Sequence, residues 1–139
     1  MHNFKKLQIW QESVDFTGDI YRLSSKFPDS ERYGLTSQIR KCAVSVPSNI
    51  AERSGRGTSK DFENFLNIST GSSFELETQL IIANKLNFIY EEEFQTTSIR
   101  LQSIQRKIFS FKEAISRESI KSGLKKLTSW FLILGSWFI

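Results

Sequence analysis

Apolar residues return every three or four positions along most of this chain and nowhere alternate for long with polar ones, which predicts helices rather than strands. The first helical stretch runs from Lys5 to Phe27, where Leu7, Trp10, Val14 and Tyr21, flanked by Ile9, Phe16, Ile20 and Leu23, recur at helical spacing. Phe27-Pro28-Asp29-Ser30 stops it, because a proline pushes the residue before it out of the α region. A second helix begins near Tyr33 to Thr36 and carries Leu35, Ile39, Cys42, Val46 and Ile50 inward. Pro47 sits inside it. A helix-interior proline deletes one backbone donor and crowds the carbonyl four residues back, at about 3 kcal/mol, so a kink is expected there.

The third stretch, Thr58 to about Asn87, places Phe62, Phe65, Leu66, Leu76, Leu80, Ala83 and Leu86 inward. At its centre, Ser69-Thr70-Gly71-Ser72-Ser73 reads as a crossing point where small side chains admit a neighbouring helix, with a break at Gly71 as the rival reading. The fourth carries the clearest signal: Phe94, Thr97, Leu101, Ile104, Ile108, Phe111 and Ile115 keep a strict three-four alternation, the seam of a bundle or coiled coil. Glu91-Glu92-Glu93 forms its negatively charged first turn. The expected fold is all-α, an antiparallel up-down-up-down four-helix bundle over residues 1–122, with an apolar C-terminal extension over 123–139.

That extension, SWFLILGSWFI from Ser129, is well short of the roughly 20 residues that cross a bilayer, so a membrane span is not expected. Three placements stay open: a groove of the bundle, a subunit interface, or a membrane surface reached behind Lys121, Lys125 and Lys126. Burial against protein is preferred, because an exposed apolar patch invites aggregation.

Composition adds the setting. A single cysteine among 139 residues cannot form an internal bridge, and the N-terminus lacks the continuous apolar stretch of a secretory signal, so a cytoplasmic protein is expected. The net charge of +4 favours anionic partners only mildly, but it is unevenly spread. Residues 1–60 hold 10 Lys/Arg against 6 Asp/Glu, 61–99 hold 1 against 7, and 100–139 hold 8 against 2.

Candidates for catalysis are few. His2 is the only histidine and sits at a terminus, Cys42 falls on an apolar helix face, and no helix carries the Glu-x-x-His pairs of a di-iron bundle. Glu75 and Glu77 are two apart and face different directions. No catalytic residue, metal or cofactor is expected. RSGRGTSKDF, residues 53–62, has the residue types of a phosphate loop, but its glycines are one residue apart and a helix precedes it. It fits a helix stop at Gly55 or Gly57 followed by a Thr58/Asp61 capping box. Its cations Arg53, Arg56 and Lys60, with Arg40 and Lys41 earlier and Arg106 and Lys107 on the fourth helix, form the candidate surface for nucleic-acid backbone. Arg40, Asn49, Glu52 and Glu75 are expected to form a polar network between helices two and three.

QIRKCAVSVPSNIAERSGRGTSKDFENFL followed by GSSFELETQL resembles the four-helix-bundle proteins related to the 23S rRNA intervening-sequence proteins, and FKKLQIWQESVDFTGDIYRLSSKFPDSERYGL fits that family's first helix and Phe-Pro turn. The resemblance spans about residues 4–115. It implies a bacterial protein assembling as a ring, typically a homopentamer, with a role near RNA. More distantly, it suggests a protein partner such as a reverse transcriptase or a ribosome-associated factor. Two departures stand out: Glu52-Arg53 where the family commonly has Glu-Gly, and the Trp-rich tail after about residue 122.

Overall fold

The computed structural model describes residues 4–52 and 59–135, with side chains over 4–52 and 60–126. Within them lie four helices, α1 (Gln8–Ser24), α2 (Leu35–Glu52), α3 (Ser59–Lys85) and α4 (Glu91–Gly135), with short 3-10 turns at Phe4–Lys6 and Asp29–Glu31 and no strand. The three-four seam of α4 faces the core: Leu101, Ile104 and Ile108 are buried, and Phe94, Phe111 and Ile115 pack at its margin. Packing decides between the two apolar rows of α1: Ile9, Phe16, Ile20 and Leu23 are buried, Leu7 and Trp10 pack at the core's margin, and Val14 and Tyr21 are exposed. Leu86 is also exposed, because α3 ends just before it.

α2 runs unbroken through Pro47, which is itself buried. Having no N–H, Pro47 leaves the Ala43 carbonyl without its helical donor. The Thr17 hydroxyl of α1 lies 2.9 Å from that oxygen and 2.8 Å from the Ser13 carbonyl, so its single proton can serve the orphaned acceptor. The α2–α3 contact is built on small residues, as the sequence predicts. Ser69 and Ser73 are fully buried, Ser69 donates to the Val46 carbonyl at 3.1 Å, and the Ser45 and Ser72 hydroxyls meet at 2.8 Å. Gly71 is not the point of approach: a Cβ there would meet nothing within 4 Å, and α3 continues through it.

α3 closes with Asn87 at φ 58°, the Phe88 N–H reaching the Ala83 carbonyl and the Asn87 N–H the Asn84 carbonyl. This paired closure caps the helix end and sets Phe88 against Phe27, ring centroids 5.7 Å apart. At the other junction, Glu31 accepts from the Leu35 N–H and so caps α2.

α4 lies on α1 with a regular register. Lys107 donates to both carboxylate oxygens of Glu12 at 2.5 and 2.6 Å, Arg100 pairs with Asp19, and Lys26 pairs with Glu93. Each step of seven from Glu12 through Asp19 to Lys26, just past the end of α1, meets a step of seven back along α4. On the other flank, Lys112 bonds Asn67 while Gln105 and Gln102 bond Glu77, again with opposed numbering. The capping box at Thr58 and the joint 53–58 lie outside the described residues, as do the side chains of the apolar run from Ser129.

Partial burial pushes the Asp19 carboxyl up, but the Arg22 and Arg100 guanidiniums outweigh it and hold it below its usual value. The Lys26 ammonium lowers Glu93 against a smaller upward push from burial. A carboxyl lowered by folding contributes stability that is complete above its unfolded value and drains away as pH falls through its folded one. Urea midpoints are therefore expected to drop as pH falls below about 5, and Asp19→Asn to remove part of that drop. An Asp19→Asn variant with the wild-type pH dependence would contradict this. Separately, Thr17→Val is expected to cost about 1 kcal/mol in chemical denaturation, because it strands the Ala43 carbonyl. In a Pro47→Ala background, where the helical N–H returns, the cost should shrink.

Candidate nucleic-acid interface

The cations singled out from sequence fall into separate places. Arg40 turns toward α1: its Nε donates to Ser24 Oγ at 2.8 Å, and its guanidinium lies 4.8 Å from the Tyr21 ring centroid. It is therefore occupied in stapling α2 to α1. Lys41 is exposed on α2, and Lys60 is exposed in the first turn of α3. Arg53 and Arg56 lie outside the described residues, on the stretch that joins Glu52 to Ser59.

Arg106 and Lys107 are brought together. They line an open groove of about 540 Å³ between the start of α1 and α4, walled by Leu7, Ile9 and Phe111 and edged by Gln8, Ser103 and Ser110. Helical spacing explains the lining, because Ser103, Lys107 and Ser110 share the α1-facing flank of α4 at steps of four and three. The two cations are not equivalent. Lys107 is held by Glu12, whereas Arg106 is exposed and no carboxylate pairs with it among the described residues. A guanidinium with two hydroxyls within one groove is a donor set suited to a phosphate oxygen. Other cations of α4 are spent inside the molecule: Arg100 pairs with Asp19, Lys112 bonds Asn67, and Arg117 lies 3.9 Å from Glu113.

Two members of the expected polar network, Arg40 and Asn49, bond on different sides of α2. Asn49 donates to the Ser45 carbonyl at 2.8 Å and to its hydroxyl at 3.1 Å, and through Ser45 reaches Ser72 on α3. Arg40 belongs to the α1 side, a consequence of its position across the helix from Asn49. Glu75 and Glu52 are exposed; Glu75 comes close enough to Cys42 to raise its thiol value. Cys42 lies in the core, where burial pushes the thiol up, against a smaller opposite effect of the Gln79 amide.

Sequence reasoning missed a second surface. Phe74 and Ile81 lie three before and four after Glu77, and Ile99 lies three before Gln102, its bonding partner on α4. All three are exposed, as is Phe109 one heptad beyond Gln102, so the outer side of the α3–α4 seam carries an apolar row. Its signal was present in the sequence as Ile99 and Phe109 falling between positions of the core seam.

No curated protein matches this chain. Among solved structures, a protein of unknown function from the S23 ribosomal protein family of Bacteroides thetaiotaomicron superposes with a TM-score of 0.70 at 22% identity, covering 75% of this chain and 97% of its own. The family model for 23S rRNA-intervening sequence proteins matches residues 5–110, which takes in α1, α2, α3 and the half of α4 that carries Arg106 and Lys107. With most of the chain inside that match, the protein belongs to the 23S rRNA-intervening sequence protein family.

Proposed function

We propose that this chain is the subunit of a ring of up-down-up-down bundles, a homopentamer of the bacterial cytoplasm, that holds RNA or DNA by its backbone and performs no reaction on it. The observation that carries this reading is the groove in which Arg106 stands beside Ser103, Lys107 and Ser110 with no carboxylate paired to it among the described residues. The name of the family, tied to 23S rRNA, supports RNA as the ligand. Lys60 and the joint bearing Arg53 and Arg56 add cations at the start of α3. Repetition around a ring would turn several weak phosphate contacts into one strong attachment.

A second reading, an adaptor that recruits another protein, is favoured by the apolar row of Phe74, Ile81, Ile99 and Phe109. In the first reading this row is where copies of the chain meet.

Arg106→Glu is expected to weaken binding of a generic RNA hairpin and to lower the slope of log affinity against log salt by about 1, measured by fluorescence anisotropy. An unchanged affinity and slope would remove Arg106 from the interface. Phe74→Glu with Ile99→Glu is expected to reduce the sedimenting species to the monomer mass. If particle mass is unchanged, the row belongs to the adaptor reading.

A further inference from the structure

Each helix packs on two neighbours, in the order α1, α2, α3, α4 and back to α1. The α1–α2 and α3–α4 seams are therefore opposite edges of the bundle, and both carry uncovered apolar surface. The α3–α4 edge projects: Phe74 and Phe109 are 55% and 62% exposed on its outer row. The α1–α2 edge is hollow. A cleft of about 280 Å³ lies there, walled by Trp10 and Val14 of α1 and by Val44, Pro47 and Ala51 of α2. Val14 and Val44 are themselves exposed, so the cleft is an apolar surface open to a partner.

Charge divides the two edges. Between Leu35 and Glu52, α2 holds Arg40 and Lys41 and no acidic residue, and these two lie four and three positions before Val44. Between Lys60 and Lys85, α3 holds Asp61, Glu63, Glu75 and Glu77 and no Lys or Arg. Glu77 lies three residues after Phe74 and Glu63 eleven before it, which places both on the Phe74 side of α3. The projecting edge is thus flanked by carboxylates and the hollow one by cations.

We infer that the cleft between α1 and α2 receives the Phe74 row of a second copy of this chain, so that copies join head to tail. This rests on the reading of the row as a contact between copies, and it supplies the other half of that contact. Size and charge select the occupant. The cleft is smaller than the roughly 300–1,000 Å³ of a small-molecule pocket and has room for a projecting side chain. Seated there, the row brings Glu63 and Glu77 toward Arg40 and Lys41, whereas a row set on another row forgoes those α2 cations. A head-to-tail contact is also what a ring with an odd number of copies requires, since a self-pairing face joins copies two at a time.

Sedimentation velocity of the full chain and two variants tests this. The wild-type chain is expected as a multimer, and Val14→Glu with Val44→Glu as a monomer, like Phe74→Glu with Ile99→Glu. Both variants should keep the wild-type thermal melt by circular dichroism, because all four positions are exposed. An equimolar mixture of the two should sediment at twice the monomer mass, since each retains the half that the other has lost and one sound contact remains. A cleft variant of wild-type mass beside a monomeric row variant would overturn the inference and leave the row pairing elsewhere. So would a mixture that stays monomeric. A wild-type chain that is monomeric at every concentration would remove the ring reading as well. If either variant loses the wild-type melt, Val44→Gln and Phe74→Gln take their place, each expected to weaken association on the order of 10-fold, and an unchanged association constant for Val44→Gln would equally overturn the inference.

Discussion

The bundle depends on the apolar seam of α4. Burying Leu101, Ile104 and Ile108 is worth about 1.5–3 kcal/mol each, whereas the three half-exposed ion pairs that tie α1 and the turn after it to α4 contribute roughly 0–1 kcal/mol each. Hydrophobic burial therefore supplies the attraction, and it is indifferent to sliding by a heptad. The ion pairs are not. A slip of α4 by seven residues would set Asp19 against Glu93 or Lys26 against Arg100, a like-charge contact in either direction. Energy and register come from different residues on the same helix face.

The same separation governs the groove. Lys107, engaged by Glu12, serves the register, and Arg106, one residue before it and exposed, is left for a ligand. Neighbouring cations of identical formal charge thus differ in what they can bind. The difference arises from which flank of α4 meets α1, not from residue type.

The end of α1, the start of α4 and the α4 seam were legible in sequence because periodicity, Pro28 and the glutamates at 91–93 each have a local physical meaning, whereas the run of α4 on to Gly135 was not. The inner face of α1 was not, since both candidate rows on that helix are apolar and only packing against α2 and α4 distinguishes Phe16 from Val14. Nor was the tolerance of Pro47, which rests on a hydroxyl supplied by Thr17 from another helix. The candidate site was half legible. Basic residues could be counted, but their carboxylate partners lie 81 and 95 residues away in the chain, so which cations are spent internally is a property of the fold.

The closure at Asn87 has a bearing on molecular identity. The ladder that seats α4 on α1 would accept an α4 donated by another copy as readily as its own, since it reads only charge and spacing. What biases the choice is the tight turn between Lys85 and Glu91, in which the Phe88 N–H reaches back to Ala83 and sends the chain directly onto its own bundle. Straightening those few residues would join α3 and α4 into one continuous rod and free α4 to complete a neighbour. A left-handed asparagine thereby guards against exchange of helices between molecules.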